Sequence, residues 1–339
     1  MAVILSHATA LQALRRGARL APTTSDGAPS APDWSVRRGD KLAETRAAHR
    51  LLLETHLLDK GQPLHVIAQP GEPRTRYRPL VIHRWTTARP LPVRQLDHGL
   101  WTVSPELLFV QLSAELALPQ AVLLGWELCG RYGKVLPGDR RCRLVERGFE
   151  DRAALTTVAG ITALLAAHPG LRGIRPAREA LTWVRDRARS PMEAAVWMLL
   201  CMPPRLGGFG LPPFQVNYCI LLNPRDAALL DRPYLELDMW HPDPPLDVEV
   251  DGSDHDRTRV HDAVRNNELA ARHVRQIHLA GPELMNCDRF EDEARTIAQI
   301  LGVRLRLECA DWRARYVRLH AAVMNIELNE VPLEAYDEL

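Results

Sequence analysis

The chain has 339 residues, 46% hydrophobic and 25% charged, and its 43 Lys and Arg against 42 Asp and Glu leave a formal net charge of +1. That length exceeds one small domain and the composition can fill two cores. It is the composition of an ordered globular chain, and no segment approaches the 18 or so apolar residues of a membrane span. The near-zero charge weakens a general DNA-coating role while leaving room for a local basic groove.

The N-terminal third alternates helix and strand signals. Ser6 stands as an N-cap before the apolar helix pattern HATALQALRR. Residues 22–32, PTTSDGAPSAP, read as an exposed loop. Residues 41–58 read as a helix, and residues 64–68, 80–85 and 100–103 as strands between Gly-Glu-Pro and Arg-Pro-Leu-Pro turns. Ser104-Pro105-Glu106 opens a helix with Pro at its first position, and Pro119 starts another. After a basic cluster at residues 140–147, two amphipathic blocks at 153–167 and 177–188 read as a helical connector, broken at His168-Pro-Gly and Ile174-Arg-Pro.

From Ser190 the pattern becomes helix (190–202), strand (214–222), strand (234–240), strand (246–251), helix (257–271) and strand (274–279). The two strands flanking His-Pro-Asp-Pro-Pro form an antiparallel pair. Gly207–Gly210, GGFG, lacks the Lys-Ser/Thr of a phosphate loop and reads as a flexible loop with a helix stop. Amphipathic helices at 288–301 and 311–323 precede an acidic tail, 327–339. The six cysteines contain no CxxC pair and no secretory leader precedes them, so reduced thiols in the cytoplasm are expected.

Acidic residues concentrate on the hairpin. Asp238 shares a strand side with Glu236 and Trp240, and Glu249 with Asp247 and Asp251. Like charges at alternate positions disfavour one another's ionisation, and a divalent cation such as Mg²⁺ or Mn²⁺ removes that cost. The plain alternative is a row of acids on the solvent side of a sheet. Glu193 lies in a first helical turn, where the dipole alone favours a carboxylate. Asp262 and Arg265 have the spacing of a helix-surface ion pair and equally suit an active-site support. Arg257, Arg259, Arg265, Arg272 and Arg275 lie near the acids as phosphate contacts, although arginine-rich helix surfaces are common.

In order along the chain, Asp238, Glu249, Asp251-Gly252, His255, Asp262, Arg265 and Leu269 resemble the pattern D…(V/I)E-x-DG-x-x-H…D-x-x-R-x-x-x-L. It belongs to the very-short-patch-repair-related branch of the PD-(D/E)xK nucleases. Ser190-Pro191-Met192-Glu193 is similar to the S-x-x-E that opens the first helix of that fold. The resemblance implies metal-dependent hydrolysis of DNA, with RNA as the alternative substrate. Asp238, Glu249 and the Val250 carbonyl would hold the metal, Glu193 would tune it, and His255 or Asp251 would orient the attacking water. One departure is plain: Asp251 stands where the superfamily usually has Lys, and the only lysines are Lys41, Lys60 and Lys134. A non-catalytic nucleic-acid-binding or regulatory protein on a degenerate nuclease fold is therefore the rival expectation.

SHATALQALR, VIHR and TVSPELLFVQLSAEL resemble the domain of AbiE-type abortive-infection antitoxins. That implies a phage-defence or toxin–antitoxin setting and a protein partner for the N-terminal domain, with no membrane partner. The expected fold class is α/β (α+β in stricter terms). A mixed N-terminal domain (1–135) and a helical connector (136–189) lead to a restriction-endonuclease-like core (190–305), a mixed sheet flanked by helices. A C-terminal helix and tail (306–339) follow.

Overall fold

The computed structural model describes residues 3–21, 38–68, 77–87, 89–137, 139, 148–250, 259–308 and 311–324, without the side chains of 38–41, 98, 259–262 and 282–283. The fold is α/β, with helices around mixed parallel and antiparallel sheets. Two compact units share the chain: Met1–Ala121, Gly133–Glu150 and Leu155–Thr182 form one, and Val122–Tyr132, Asp151–Ala154 and Trp183–Leu339 the other.

The first unit opens with β1 (Ile4–Leu5) and α1 (His7–Arg15), then α2 (Arg38–Glu54), β2 (Leu64–Ala68), β3 (Leu80–Arg84), β4 (Val93–Gln95), β5 (Trp101–Val103) and α3 (Pro105–Ser113). The sheet order is β3-β2-β1-β5-β4, so the two-residue β1 is its central strand, antiparallel to β2 and parallel to β5. Ile4 and Leu5 are fully buried, which two residues of sequence cannot announce by alternation. Ser104 caps α3 by accepting from the Leu107 N–H at 3.3 Å.

Next come α4 (Leu118–Cys129), β6 (Tyr132–Lys134), β7 (Phe149–Asp151), α5 (Val158–Ala167) and α6 (Ile174–Leu181). Rather than forming a separate connector, α5 and α6 cluster with the first unit, both against α3. The Ile174-Arg-Pro stretch is the first turn of α6 rather than a break, since a proline there forfeits no helical hydrogen bond. Just before it, Gly173 has φ 89°, and a Cβ would stand 2.3 Å from the Val110 carbonyl oxygen.

The second unit contains α7 (Pro191–Cys201), β8 (Gln215–Leu221), α8 (Pro224–Leu230), β9 (Tyr234–Pro242), β10 (Pro245–Val250), α9 (Arg259–Ala271), β11 (Arg275–Leu279), α10 (Gly281–Met285), α11 (Cys287–Ile300) and α12 (Trp312–Met324). Its sheet runs β11-β10-β9-β8. Neighbours β8, β9 and β10 are antiparallel, while α9 carries the chain over to a parallel β11. Helix α7 is apolar all round and buried from Glu193 to Cys201, as a core helix must be. It contacts β9, β10 and α12, so the C-terminal helix belongs to this unit and is no appendage.

The GGFG stretch is packed, contrary to a flexible loop. Phe209 is buried, edge-on to Trp312 and Tyr316 with ring centroids 5.4 and 5.1 Å away. A Cβ on Gly208 would lie 2.0 Å from the Met202 carbonyl oxygen, and one on Gly207 (φ 91°) 2.5 Å from that of Arg315. Glycine is required because two backbones meet there. The Gly207→Ala variant should therefore be destabilised by on the order of 2 kcal/mol, from positive φ plus a backbone clash. Gly170→Ala, with open space around the new Cβ, should be near neutral. Urea melts of both check the pair, and equal midpoints would contradict the packing.

Candidate functional site

The antiparallel register pairs Asp247 with Trp240 and Val248 with Met239, so one step on Glu249 lies opposite Asp238. Paired residues share a face. Glu236, Asp238, Asp247 and Glu249 therefore stand on one side of the sheet, with Asn217 and Cys219 of β8 beside them. The Val250 N–H donates to Asp238 Oδ2 at 3.0 Å, tying the two acidic strands together. Helix α7 contributes a further acid. Ser190 Oγ caps it by accepting from the Glu193 N–H at 3.1 Å. Glu193 Oε2 in turn accepts from the Arg189 N–H at 3.0 Å and from Asn217 Nδ2 at 2.6 Å.

The acids are poorly compensated. Burial raises the Asp238 carboxyl well above the usual carboxylate range, and the neighbouring Glu249 and Glu193 raise it further. Glu193 is pushed up to about 7, chiefly by burial. Asp247 also reaches about 7, from burial and then from Glu249, with Arg265 opposing. The cations go elsewhere. Arg265 forms a close pair with Glu249, lies 3.1 Å from Asp247 and donates to the Glu236 carbonyl at 3.0 Å. The Glu236 carboxylate sits between Arg131 (3.0 Å) and Arg189 (2.7 Å). Among the described residues, Asp238 and Glu193 receive only neutral donors. A cavity of about 290 Å³ opens here, lined by Arg189, Asn217, Arg232, Glu236, Asp238 and Arg265.

Of the residues singled out in the sequence, Glu193, Asp238 and Glu249 come together on this face, and Val250 joins them through its N–H. Asp251, His255, Arg257 and the side chain of Arg259 lie outside the described residues. Arg265 does not face outward for phosphate: it is 5% exposed and turned onto the acids, as the active-site-support alternative expects, and the side chain of Asp262 lies outside the described residues. Buried Asp247 and Glu249 require a cation, and α9 supplies it from inside. Arg272 is a helix-surface residue, paired with Glu268 one turn away and donating to the Leu221 carbonyl. Arg275 is exposed at the start of β11.

Two contributors were not legible beforehand, Arg189 and Asn217. Asn217 is fully buried, adopts φ 49° inside β8, and its Oδ1 has no hydrogen-bond partner among the described residues. The only available signal was that asparagine tolerates left-handed backbone better than most residues. Among the described residues, the one group of three or more ligand-type side chains with metal-site dimensions is His7, His65 and His83 in the first unit, not these acids. No family model, curated protein or solved structure matches the chain.

A carboxyl whose folded pKa is raised binds its proton more tightly in the native state. Its contribution is fully present below the unfolded value and lost as pH rises through the folded one. For Glu193 that window runs from 4.5 to about 7. The wild type should lose stability between pH 5 and pH 8, on the order of 3 kcal/mol from this group alone. Glu193→Gln, which keeps an acceptor for Asn217, should flatten the profile. Denaturant melts across that range check it, and parallel profiles would remove Glu193 from the account.

Proposed function

We propose that this protein is a divalent-metal-dependent phosphodiesterase acting on DNA, with RNA as the alternative substrate, on a restriction-endonuclease-like core. One observation carries the reading. Acids from three separate elements, Glu193 of α7, Asp238 of β9 and Glu249 of β10, share one buried face beside a cavity, and among the described residues Glu193 and Asp238 are hydrogen-bonded only by neutral donors. Packing carboxylates against one another in low dielectric is unfavourable unless a cation compensates.

The donor set is chemically suited to Mg²⁺ or Mn²⁺, being all hard oxygen. Asp238, Glu249 and the Val250 carbonyl would hold the ion. When bound, it supplies a water of lowered pKa and neutralises charge on the scissile phosphate. Arg265 holds Glu249 and Asp247 in place, the orienting role that neighbours of metal ligands play. Glu193, near its midpoint at neutral pH and bonded to the cavity-lining Asn217, can give or take a proton next to Asp238. His255 or Asp251 would align the attacking water, as the family resemblance implies. The AbiE-type resemblance of the N-terminal residues supports a phage-defence or toxin–antitoxin setting, with a protein partner for the N-terminal domain.

A specific observation favours a second reading. The Arg265 guanidinium already supplies positive charge to Glu249 and Asp247, and no lysine follows Glu249. In that reading Arg265 replaces the metal, and the protein binds nucleic acid or regulates without cutting it.

Purified protein incubated with plasmid DNA and with RNA, in Mg²⁺, Mn²⁺ or EDTA, separates the two. The first reading expects metal-dependent cleavage that falls ~10³-fold in Asp238→Asn and in Glu249→Gln, the loss of about 4 kcal/mol of transition-state stabilisation. It also expects a Mg²⁺-dependent rise in Tm that both variants lose. Absence of cleavage and of any Mg²⁺ shift, with DNA binding intact in EDTA, would establish the second reading instead.

A further inference from the structure

We infer that His7, His65 and His83, with Glu115, form a Zn²⁺ site inside the first unit. The three imidazoles arrive from three elements. Because β2 and β3 are parallel with His65 opposite Val81 and Ile67 opposite His83, the two strand histidines lie diagonally on one face. His7 follows β1, whose Leu5 pairs with Val66 of β2. One ligand nitrogen from each ring lies within 4.8 Å of the other two. His65 Nδ1 and His83 Nε2 are 2.9 Å apart, and the His7 ring stacks on that of His83 at 3.5 Å.

The spacing suits a tetrahedral ion. Ligand atoms about 2.0–2.1 Å from zinc stand about 3.3 Å from each other. The His65–His83 separation needs to open by only a few tenths of an ångström. Glu115 Oε1 lies 3.8 Å from His7 Nε2, too long for a hydrogen bond and close to the span across a shared cation. Imidazole nitrogen with one carboxylate is a zinc-type donor set rather than a magnesium one.

Local structure is arranged around His7. Ser6 is the N-cap of α1 yet makes no capping bond. Its Oγ instead lies 3.1 Å from His7 Nδ1. With the Nδ1 hydrogen donated there, Nε2 presents its lone pair, the orienting contact that metal-bound histidines receive from a neighbour. His7 also adopts φ 47°, a strained conformation for a side chain of its size, held by its N–H donating to Gln111 Oε1 at 3.3 Å. Burial, with neighbouring rings and Arg172, keeps His7 and His83 neutral, pushed down to about 3 and about 4, and the neutral ring is the ligating form. Arg172 opposes a cation and Glu115 offsets it. A cavity of about 320 Å³ borders His7, His83, Glu115 and Arg172, with room for the ion and a water.

The test uses the full, tag-free chain stripped with EDTA. Titration of Zn²⁺ against a chromophoric chelator should give one equivalent per chain, and Co²⁺ should show the intense visible bands of tetrahedral coordination. His65→Ala and His83→Ala should weaken Zn²⁺ binding by about 100-fold or more, and Ser6→Ala by about 10-fold. Asp238→Asn and His49→Ala should leave it unchanged, which separates this site from the acidic one. Circular dichroism monitors folding. Should either strand variant unfold, Glu115→Gln, at an exposed position, carries the same expectation of weakened binding. Binding below one equivalent, wild-type affinity in the variants that fold, or stabilisation by inorganic phosphate with none by Zn²⁺ would overturn the assignment.

Discussion

The second unit depends on the placement of Arg265. Its guanidinium reaches Asp247 and Glu249 on β10 and the Glu236 carbonyl on β9, so one side chain of α9 joins the crossover helix to both central strands. Asp247 and Glu249 are almost wholly excluded from water. An ionised carboxylate in such a place is costly, and removing its partner from a buried pair typically costs about 3–5 kcal/mol. Arginine suits this position better than lysine, since its planar fork serves two carboxylates and a carbonyl at once. The same contact sets the functional question. A cation fixed by the fold competes for Glu249 with any cation taken from solution, and the outcome decides whether the face is catalytic or closed.

Charge on this face is distributed unevenly for a physical reason. Glu236 takes two arginines and Arg265 takes two carboxylates, while Asp238 and Glu193 are left with neutral N–H and amide donors. Neutral donors cannot hold two neighbouring carboxyls fully ionised in low dielectric, so both retain protons more tightly than usual. A divalent cation taken up here would therefore have to displace a proton from the same oxygens. The histidines of the first unit present the opposite case, since their nitrogens are already neutral. An oxygen site and a nitrogen site of this kind select different classes of ion.

Much of the second unit was legible in the sequence because its signals are local. Alternation over residues 234–240 and 246–251 around a proline-rich turn placed Asp238 and Glu249 on facing strands, and the register bears that out. Ser190 before Pro191 marked the start of α7. What failed to read was non-local. The direction of Arg265 depends on how α9 docks, and its spacing from Asp262 suits a surface pair as well as an active-site support. The two-residue β1 is defined entirely by its neighbours β2 and β5. The grouping of α5 and α6 with α3 arises from packing that amphipathic patterns do not specify. His7, His65 and His83 carry no motif because sheet topology alone brings them together.

Backbone strain separates the two candidate sites from ordinary turns. Of the non-glycine residues with positive φ, His56, Asp231 and His273 close helices, where a left-handed residue commonly serves as the terminator, while Arg187 and Asp311 lie in the segments that lead into α7 and α12. Asn217 and His7 have no such duty. Asn217 interrupts a strand in order to present its amide to Glu193, and His7 opens a helix with its ring stacked on His83. In both places a cost of about 1–3 kcal/mol is sustained by surrounding hydrogen bonds, from Asn217 Nδ2 to the Arg187 carbonyl and from the His7 N–H to Gln111. Both strained residues border a cavity. Relaxing either backbone would withdraw a polar group from that cavity, so the strain and the chemistry are held by the same contacts.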